Sequence, residues 1–238
     1  MTEALFHADP YLKAADAKVV SVSESGGILL DRTLFYPTGG GQPSDTGILA
    51  WMSGTAEVTS ARKSGTGTIE LLIAEGQEPP PTGIEIRQEL DWQRRYRHML
   101  IHTALHLLSV AIPLPVTSGA ITTEKGRLDF NMPDAIEDRD GLEQRLNELV
   151  ARNLPVTEDW ITDDELAANP GLVKTMSVKP PMGAGLVRLI RIGSGDDQID
   201  LQPCGGTHIR RTGEIGNISL GKIEKKGRIN RRVNILVD

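Results

Sequence analysis

The sequence predicts an α+β protein in two parts. A small antiparallel β-barrel domain covers residues 1–88, and an α+β domain of antiparallel sheet and helices covers residues 89–238. Three observations lead there. Short β-prone runs broken by Gly, Ser, Pro and Asp clusters fill the chain up to about Gln88, the texture of a barrel or sandwich. The stretch Glu89–Ala111 contains neither Gly nor Pro. After Leu186 strand-like runs return, now following helical segments.

The barrel strands are expected at Lys18–Val22, Ile28–Leu30, Thr33–Tyr36, Thr46–Trp51, Thr68–Ala74 and Gly83–Ile86, with Pro79–Pro81 in a loop. Glu89–Ala111 predicts a helix stopped by Pro113, with Leu100, Leu107, Leu108 and Ala111 on or near one stripe. A second helix is expected from about Glu137 to Asn153, turning Leu142, Leu146, Leu149 and Val150 inward and ending before Pro155. Thr162 followed three residues later by Glu165 has the form of a capping box for a short third helix. The returning strands are expected at Leu186–Ile192, Gln198–Gln202, Ile215–Ile223 and Ile229–Val237, with a turn at Gly193–Asp197.

Composition narrows the function. With 39% apolar and 24% charged residues the chain reads as globular, and with 4% aromatics its core must rest on Leu, Ile and Val. No apolar stretch approaches the roughly 18 residues needed to span a bilayer, and no signal-peptide pattern opens the chain. A single cysteine, Cys204, excludes a disulfide scaffold. A cytoplasmic protein with no membrane partner is the expectation. The net charge of −6 is unevenly spread. Residues 129–165 carry twelve acids against three arginines, whereas residues 210–232 carry eight bases against two acids. Such a basic segment suits either a solvated strand face or a polyanion.

Histidines and the cysteine fall in two clusters. His98, His102 and His106 follow one another at i, i+4 steps, so on a helix they share a face. His98 and His106 would be separated by roughly 12 Å of rise, so a common ion is reached by His98/His102 or by His102/His106. The second cluster is Cys204-Gly205-Gly206-Thr207-His208, whose glycines suit a strand-end loop. Three imidazoles and a thiolate form a donor set matching tetrahedral zinc. Thr103 and Thr207, each beside a candidate ligand, are candidates for hydrogen-bonding partners of the ligands. The same thiol and imidazole also suit a Cys204 nucleophile with His208 as base.

Several other enzyme classes fail. Thr103 stands where a His-Glu-x-x-His protease needs its general base, and Ile223 stands where a phosphate loop needs Ser or Thr after Gly216–Lys222. No Gly-x-Ser-x-Gly elbow and no dinucleotide fingerprint occurs. Gly39-Gly40-Gly41-Gln42-Pro43 is either a long barrel loop or a loop whose backbone or Gln42 amide meets an RNA 3′ end close to an ester.

Three motifs, His102-Thr-Ala-Leu-His106-Leu-Leu, Cys204-Gly-Gly-Thr-His208 and Thr212-Gly-Glu-Ile-Gly216, strongly resemble the editing domain of alanyl-tRNA synthetases. The segment Leu34–Gly47, with its Gly39–Gln42 loop, resembles the glycine-loop segment preceding that domain, and Gly126–Phe130 and Asn153–Val156 fit as well. Without an aminoacylation domain, the chain is similar to freestanding editing proteins. The resemblance implies zinc held by His102, His106, Cys204 and His208, leaving His98 as an arginine-flanked surface residue. It implies deacylation of mischarged tRNA(Ala), carrying Ser and perhaps Gly, with zinc either activating water or holding the substrate amine. Thr117 lies by position in the segment that reads the amino acid, and Gln42, Gly40 and Gly41 are carried over as substrate contacts. Arg94, Arg95 and Arg97 before the histidine motif, and Arg210 and Arg211 after the Cys-His loop, are the candidate phosphate contacts.

Overall fold

A computed structural model describes residues 1–65, 67–175 and 185–238, which fall into two units, Met1–Arg97 and His98–Asp238. The architecture is α+β, with a closed six-strand barrel in the first unit. No helix among the described residues is long and apolar enough to cross a membrane.

The first unit contains β1 (Glu3–Ala4), α1 (Leu5–Ala8), β2 (Ala14–Val22), β3 (Ile28–Leu30), β4 (Arg32–Thr33), β5 (Gly47–Trp51), β6 (Gly54–Ser64), β7 (Thr68–Ile73), β8 (Glu85–Leu90) and the start of α2 (Trp92–Ala111). The barrel closes in the order β2-β3-β7-β6-β5-β8 around Val19, Leu30, Phe35, Leu49, Val58, Leu71 and Ile86. β6 is its longest strand and has no counterpart among the expected strands. Its buried residues are Ala56, Val58 and Ala61, so its alternation carries little apolar contrast. The expected helix from Glu89 is shortened, because Glu89 pairs with Ala14 and Leu90 with Gly47 in the barrel ladder. The helix begins after Asp91, whose side chain accepts from Arg94 N at 3.1 Å, as an N-cap should.

The expected strand Thr33–Tyr36 is also corrected. Only Arg32–Thr33 pairs, parallel with Glu3–Ala4. Beyond it the backbone is buried but bonded by side chains. Leu34 N donates to Gln88 Oε1, Phe35 N to Thr33 Oγ1, and Tyr36 N to Asp45 Oδ2 at 2.6 Å. Asp45 in turn meets Arg95, whose Nε lies 2.9 and 3.0 Å from the two carboxylate oxygens. Both side chains are 0% exposed. Arg95 also donates to the carbonyls of Pro10 and Leu34, which satisfies the fork of a guanidinium.

The second unit holds the rest of α2, β9 (Val116–Ile121), β10 (Lys125–Asn131), α3 (Arg139–Ala151), β11 (Val156–Thr162), α4 (Asp163–Ala168), β12 (Leu186–Ile192), β13 (Asp200–Pro203), β14 (Ile218–Lys225) and β15 (Asn230–Val237). Two sheets form, in the orders β14-β15-β10-β9 and β11-β12-β13. β9, β10 and β11 lie outside the expected strands. Val116–Ile121 mixes Thr, Ser and Gly, while β11 is a polar edge strand, so neither shows an apolar alternation. Gly126 allows β10 to lie against α2. A Cβ there would sit 2.6 Å from Ile101 Cγ2 and 3.0 Å from Leu105 Cγ. The capping box forms, with Thr162 Oγ1 accepting from Glu165 N and Glu165 Oε2 accepting from Thr162 N. β14 starts at Ile218, after its expected start, because Thr212–Ile215 wind into a 3₁₀ turn.

Breaking a fully buried ion pair by removing one partner costs about 3–5 kcal/mol, since the other charge is left unpaired. Asp45→Ala is therefore expected to lower stability by that amount in urea unfolding. A loss below about 1 kcal/mol would show that Arg95 finds another partner.

Candidate metal centre

The expected donors come from two elements of the second unit. α2 projects His102 and His106 from one face, and the chain leaving β13 supplies Cys204 and His208. One donor atom from each of the four residues lies within 4.8 Å of all the others, a group that can hold a metal ion. Cys204 Sγ is 3.5 Å from His102 Nε2 and 3.3 Å from His208 Nε2. His106 and His208 are buried and Cys204 half-buried. Of the two helical pairs that spacing leaves open, the structure brings His102 and His106 to the cysteine. His98, expected on the surface, is instead fully buried, because its turn of the helix faces the interior along with Met99 and Ile101, which are also buried.

Helix and strand periods match along this contact. Asp200, Gln202 and Cys204 lie two residues apart along the β13 direction, so they point to one side. Facing them, His102, His106 and Ser109 occupy successive turns of α2. His102 approaches Cys204, His106 Nδ1 lies 2.8 Å from Asp200 Oδ2, and Gln202 Nε2 donates to Ser109 Oγ and Asp200 Oδ2.

The outer contacts fix which ring nitrogen faces inward. Thr103 Oγ1 spends its only proton on Met99 O at 2.9 Å. It must therefore accept from His208 Nδ1, 3.1 Å away, leaving the Nε2 lone pair toward Cys204. Likewise His106 Nδ1–H donates to the Asp200 carboxylate, which also takes a hydrogen bond from Lys174 Nζ. The cysteine loop is clamped from outside. Arg188 Nη1 donates to Cys204 O at 3.0 Å and Gly206 O at 2.9 Å, while its Nε donates to Glu158.

In the metal-free protein these contacts shift the ionisation. Burial pushes His208 down to about 3. Burial acts on His106 in the same sense, but the Asp200 carboxylate and Cys204 sulfur outweigh it and raise its pKa to about 9. Burial opposes ionisation of Cys204, yet the neighbouring His102, His208 and His106 imidazoles together outweigh it and hold the thiol well below its ordinary range.

The remaining expected residues are distributed as follows. Thr117 lies on β9, half-buried, with Oγ1 3.0 Å from both Asp129 O and Asn230 Oδ1. Its strand adjoins the centre's surroundings, since Val116 N donates to Lys174 O. Gly40 and Gly41, with φ of 58° and 84°, form the tip of a tight turn that pairs Gly39 with Gln42. Gln42 itself is buried. Arg94 is half-buried and donates to Ser44 O, Arg97 is half-buried, and Arg210 and Arg211 are exposed. Arg95 is a correction. Its guanidinium is consumed by Asp45 and two carbonyls inside the first unit and has no exposed surface for a phosphate. Thr207 is buried. Asp200, Gln202, Arg188 and Lys174 were absent from the expected site. The signal for the first two is the polar alternation Asp200-x-Gln202-x-Cys204 in a strand whose polar side faces inward.

Comparison with known families covers both units. The family described as "Threonyl and Alanyl tRNA synthetase second additional domain" matches residues 187–234, and "tRNA synthetases class II (A)" matches residues 7–94. The chain is 34% identical over 243 residues to the alanyl-tRNA editing protein AlaX-M of Methanosarcina mazei, covering 98% of this chain and 95% of that protein. Identity to AlaX-M of Methanosarcina acetivorans is 33%, covering 98% of each. The alanine–tRNA ligase of Pyrobaculum arsenaticum is 37% identical over 233 residues, which is 94% of this chain but 25% of the ligase. The chain thus spans about a quarter of the ligases it matches and nearly all of the editing proteins.

Outer partners of a metal-bound histidine are typically worth 10- to 100-fold in metal affinity. Asp200→Asn is expected to weaken Zn²⁺ binding by about that factor in a competition titration with a chromogenic chelator. A proton must leave His106 before it can ligate, so affinity of the native chain should rise with pH up to about 9. In Asp200→Asn the rise should finish at lower pH, and an unchanged profile would detach Asp200 from the centre.

Proposed function

The chain belongs to the family of alanyl-tRNA editing proteins, and from that premise we propose that it deacylates mischarged tRNA(Ala) in trans. The substrate is Ser-tRNA(Ala), with Gly-tRNA(Ala) as a second candidate, and the reaction is hydrolysis of the aminoacyl ester. The observation that carries this reading is the convergence of His102, His106, Cys204 and His208 on one point.

That donor set fits Zn²⁺. Around a tetrahedral ion with Zn–S of about 2.3 Å and Zn–N of about 2.0–2.1 Å, sulfur and nitrogen stand about 3.5 Å apart. Cys204 Sγ lies 3.5 and 3.3 Å from two imidazole nitrogens. When bound, Zn²⁺ supplies a fixed positive charge that polarises groups of the aminoacyl ester or holds its amine. The chain's own residues do the rest. Asp200 and Thr103 keep two imidazoles in the ligating tautomer, and Arg188 holds the Cys204–Gly206 turn in place.

Selection of serine falls to Thr117. Its single proton can serve only one of its two acceptors, so Oγ1 keeps a lone pair with which to accept from a seryl hydroxyl. A site built on such a bond discriminates strongly against the analogue lacking it. Gly40 and Gly41 remain the proposed contacts to the 3′ end, Gln42 being buried behind them, and Arg94, Arg97, Arg210 and Arg211 those to phosphates. The protein is placed in the cytoplasm, where charged tRNA is used.

The four-ligand shell also supports a second reading, a non-catalytic zinc-stapled tRNA-binding module, because closed shells are usual in structural sites. Purified protein is expected to deacylate Ser-tRNA(Ala), to lose activity on zinc removal, and to regain it on zinc addition. Binding of tRNA without any acceleration of ester loss would establish the second reading. Activity that survives chelation but dies on thiol alkylation would instead make Cys204 a nucleophile. Thr117→Val is expected to reduce the preference for Ser- over Ala-tRNA(Ala) by about tenfold, the worth of one hydrogen bond. Unchanged relative rates would remove Thr117 from that role.

A further inference from the structure

The β14–β15 hairpin concentrates positive charge in an otherwise acidic chain. Residues 222–232 hold six bases and one acid, against a net −6 for the whole sequence. Not all six are available. Arg232 binds the Asp129 carboxylate through Nε at 2.8 Å and Nη2 at 2.9 Å, and Arg231 donates to the carbonyls of Asp134 and Pro133. Lys222 and Lys226 share Glu224 at 3.4 and 3.1 Å. Lys225 and Arg228 have no ion-pair partner among the described residues and are exposed. The tip Lys222–Arg228 therefore presents four cations against one carboxylate, all toward solvent.

Its position matters as much as its charge. Lys226 N donates to Asn230 O at 2.7 Å, closing the tip, and Lys225 pairs with Arg231. Asn230 is the residue whose Oδ1 lies 3.0 Å from Thr117 Oγ1. The cationic tip is thus covalently continuous with the side chain that touches the proposed amino-acid-reading hydroxyl. In the order β14-β15-β10-β9 one strand, β10, lies between β15 and the strand of Thr117, so at about 4.8 Å per strand the tip stands roughly 10–15 Å from Thr117, at the same end of that sheet. An aminoacyl group seated at Thr117 and joined to an RNA chain would bring nucleotide phosphates within reach of cations so placed. Ile229, exposed beside these cations, is fixed by Met132 N donating to its carbonyl at 2.7 Å, which holds the tip in register.

We propose that Lys225, Lys226 and Arg228 form a backbone-phosphate grip for the acceptor end of the tRNA whose aminoacyl group is read at Thr117. This inference rests on the deacylase reading above and adds to it a surface outside the candidate site. The grip is indifferent to base sequence, since phosphate contacts position a nucleic acid without reading it.

The test uses the full zinc-loaded chain and uncharged tRNA(Ala), which has no ester, so binding is read independently of hydrolysis. The triple variant Lys225→Glu, Lys226→Glu, Arg228→Glu is expected to weaken binding at least tenfold. It should also flatten the slope of log affinity against log salt by about 2–3, because each lost phosphate contact removes about 0.7–0.9. Lys63→Glu, a charge reversal on an exposed barrel lysine, should change neither. Hydrolysis of a seryl ester of adenosine alone, which lacks the phosphates, should be unchanged in the triple variant. The neutral variants Lys225→Gln and Arg228→Gln should give intermediate losses if charge is the cause. Unchanged affinity and slope would overturn the proposal. So would an equal loss on the seryl-adenosine ester, which marks a general structural defect, or tighter binding of the native hairpin to anionic phospholipid vesicles than to tRNA. A native chain that binds tRNA through the hairpin yet hydrolyses no ester would sink the deacylase reading and leave the grip standing.

Discussion

Ligation by a histidine requires one ring nitrogen to be bare and aimed at the ion, and in a buried centre this holds only if the other nitrogen has a partner. That constraint organises the second unit. Thr103 can hold His208 only because its proton is taken by Met99 O on the preceding turn of α2. Asp200 can hold His106 only because β13 runs beside the helix and Lys174 joins the carboxylate from the other side. Arg188 fixes the loop that carries Cys204. Three of the four donors are thus held by hydrogen bonds from separate segments, and the centre exists only in the folded unit.

The first unit solves a comparable problem with carbon and backbone rather than a donor set. Its barrel is closed, so it has no sheet edge to protect. The stretch Leu34–Tyr36 crosses it without a ladder and draws its hydrogen bonds from Gln88, Thr33 and Asp45. Asp45 serves both this backbone and Arg95, which turns an arginine at the start of α2 from a surface cation into part of the core. Charge counted along a sequence does not separate an arginine that meets phosphate from one that meets a buried carboxylate. Burial and partner decide.

Residue types and spacing limited what this protein can be. The i, i+4 histidines, the Cys-Gly-Gly-Thr-His run and the breaks at Pro113 and Pro155 are local facts, and local facts survive in one dimension. They are enough for the α+β class, the long helix, the capping box and the family resemblance. The basic stretch 210–232 was equally visible, but not its division into spent and available cations. Strands built on Ala, Thr, Ser and Gly, such as β6 and β9, escaped because their burial comes from neighbours rather than from their own apolarity.

Only the tertiary structure chose between His98 and His106 on geometric grounds, because a shared helical face says nothing about which turn meets the strand carrying Cys204. It alone added Asp200 and Arg188, whose contacts span 94 and 16–18 residues of sequence. It also removed Arg95 from the expected phosphate contacts. The physical reason is common to all three. A side chain's chemistry is written at its own position, whereas its partner, its exposure and its protonation are set by whatever the fold brings within a few ångströms.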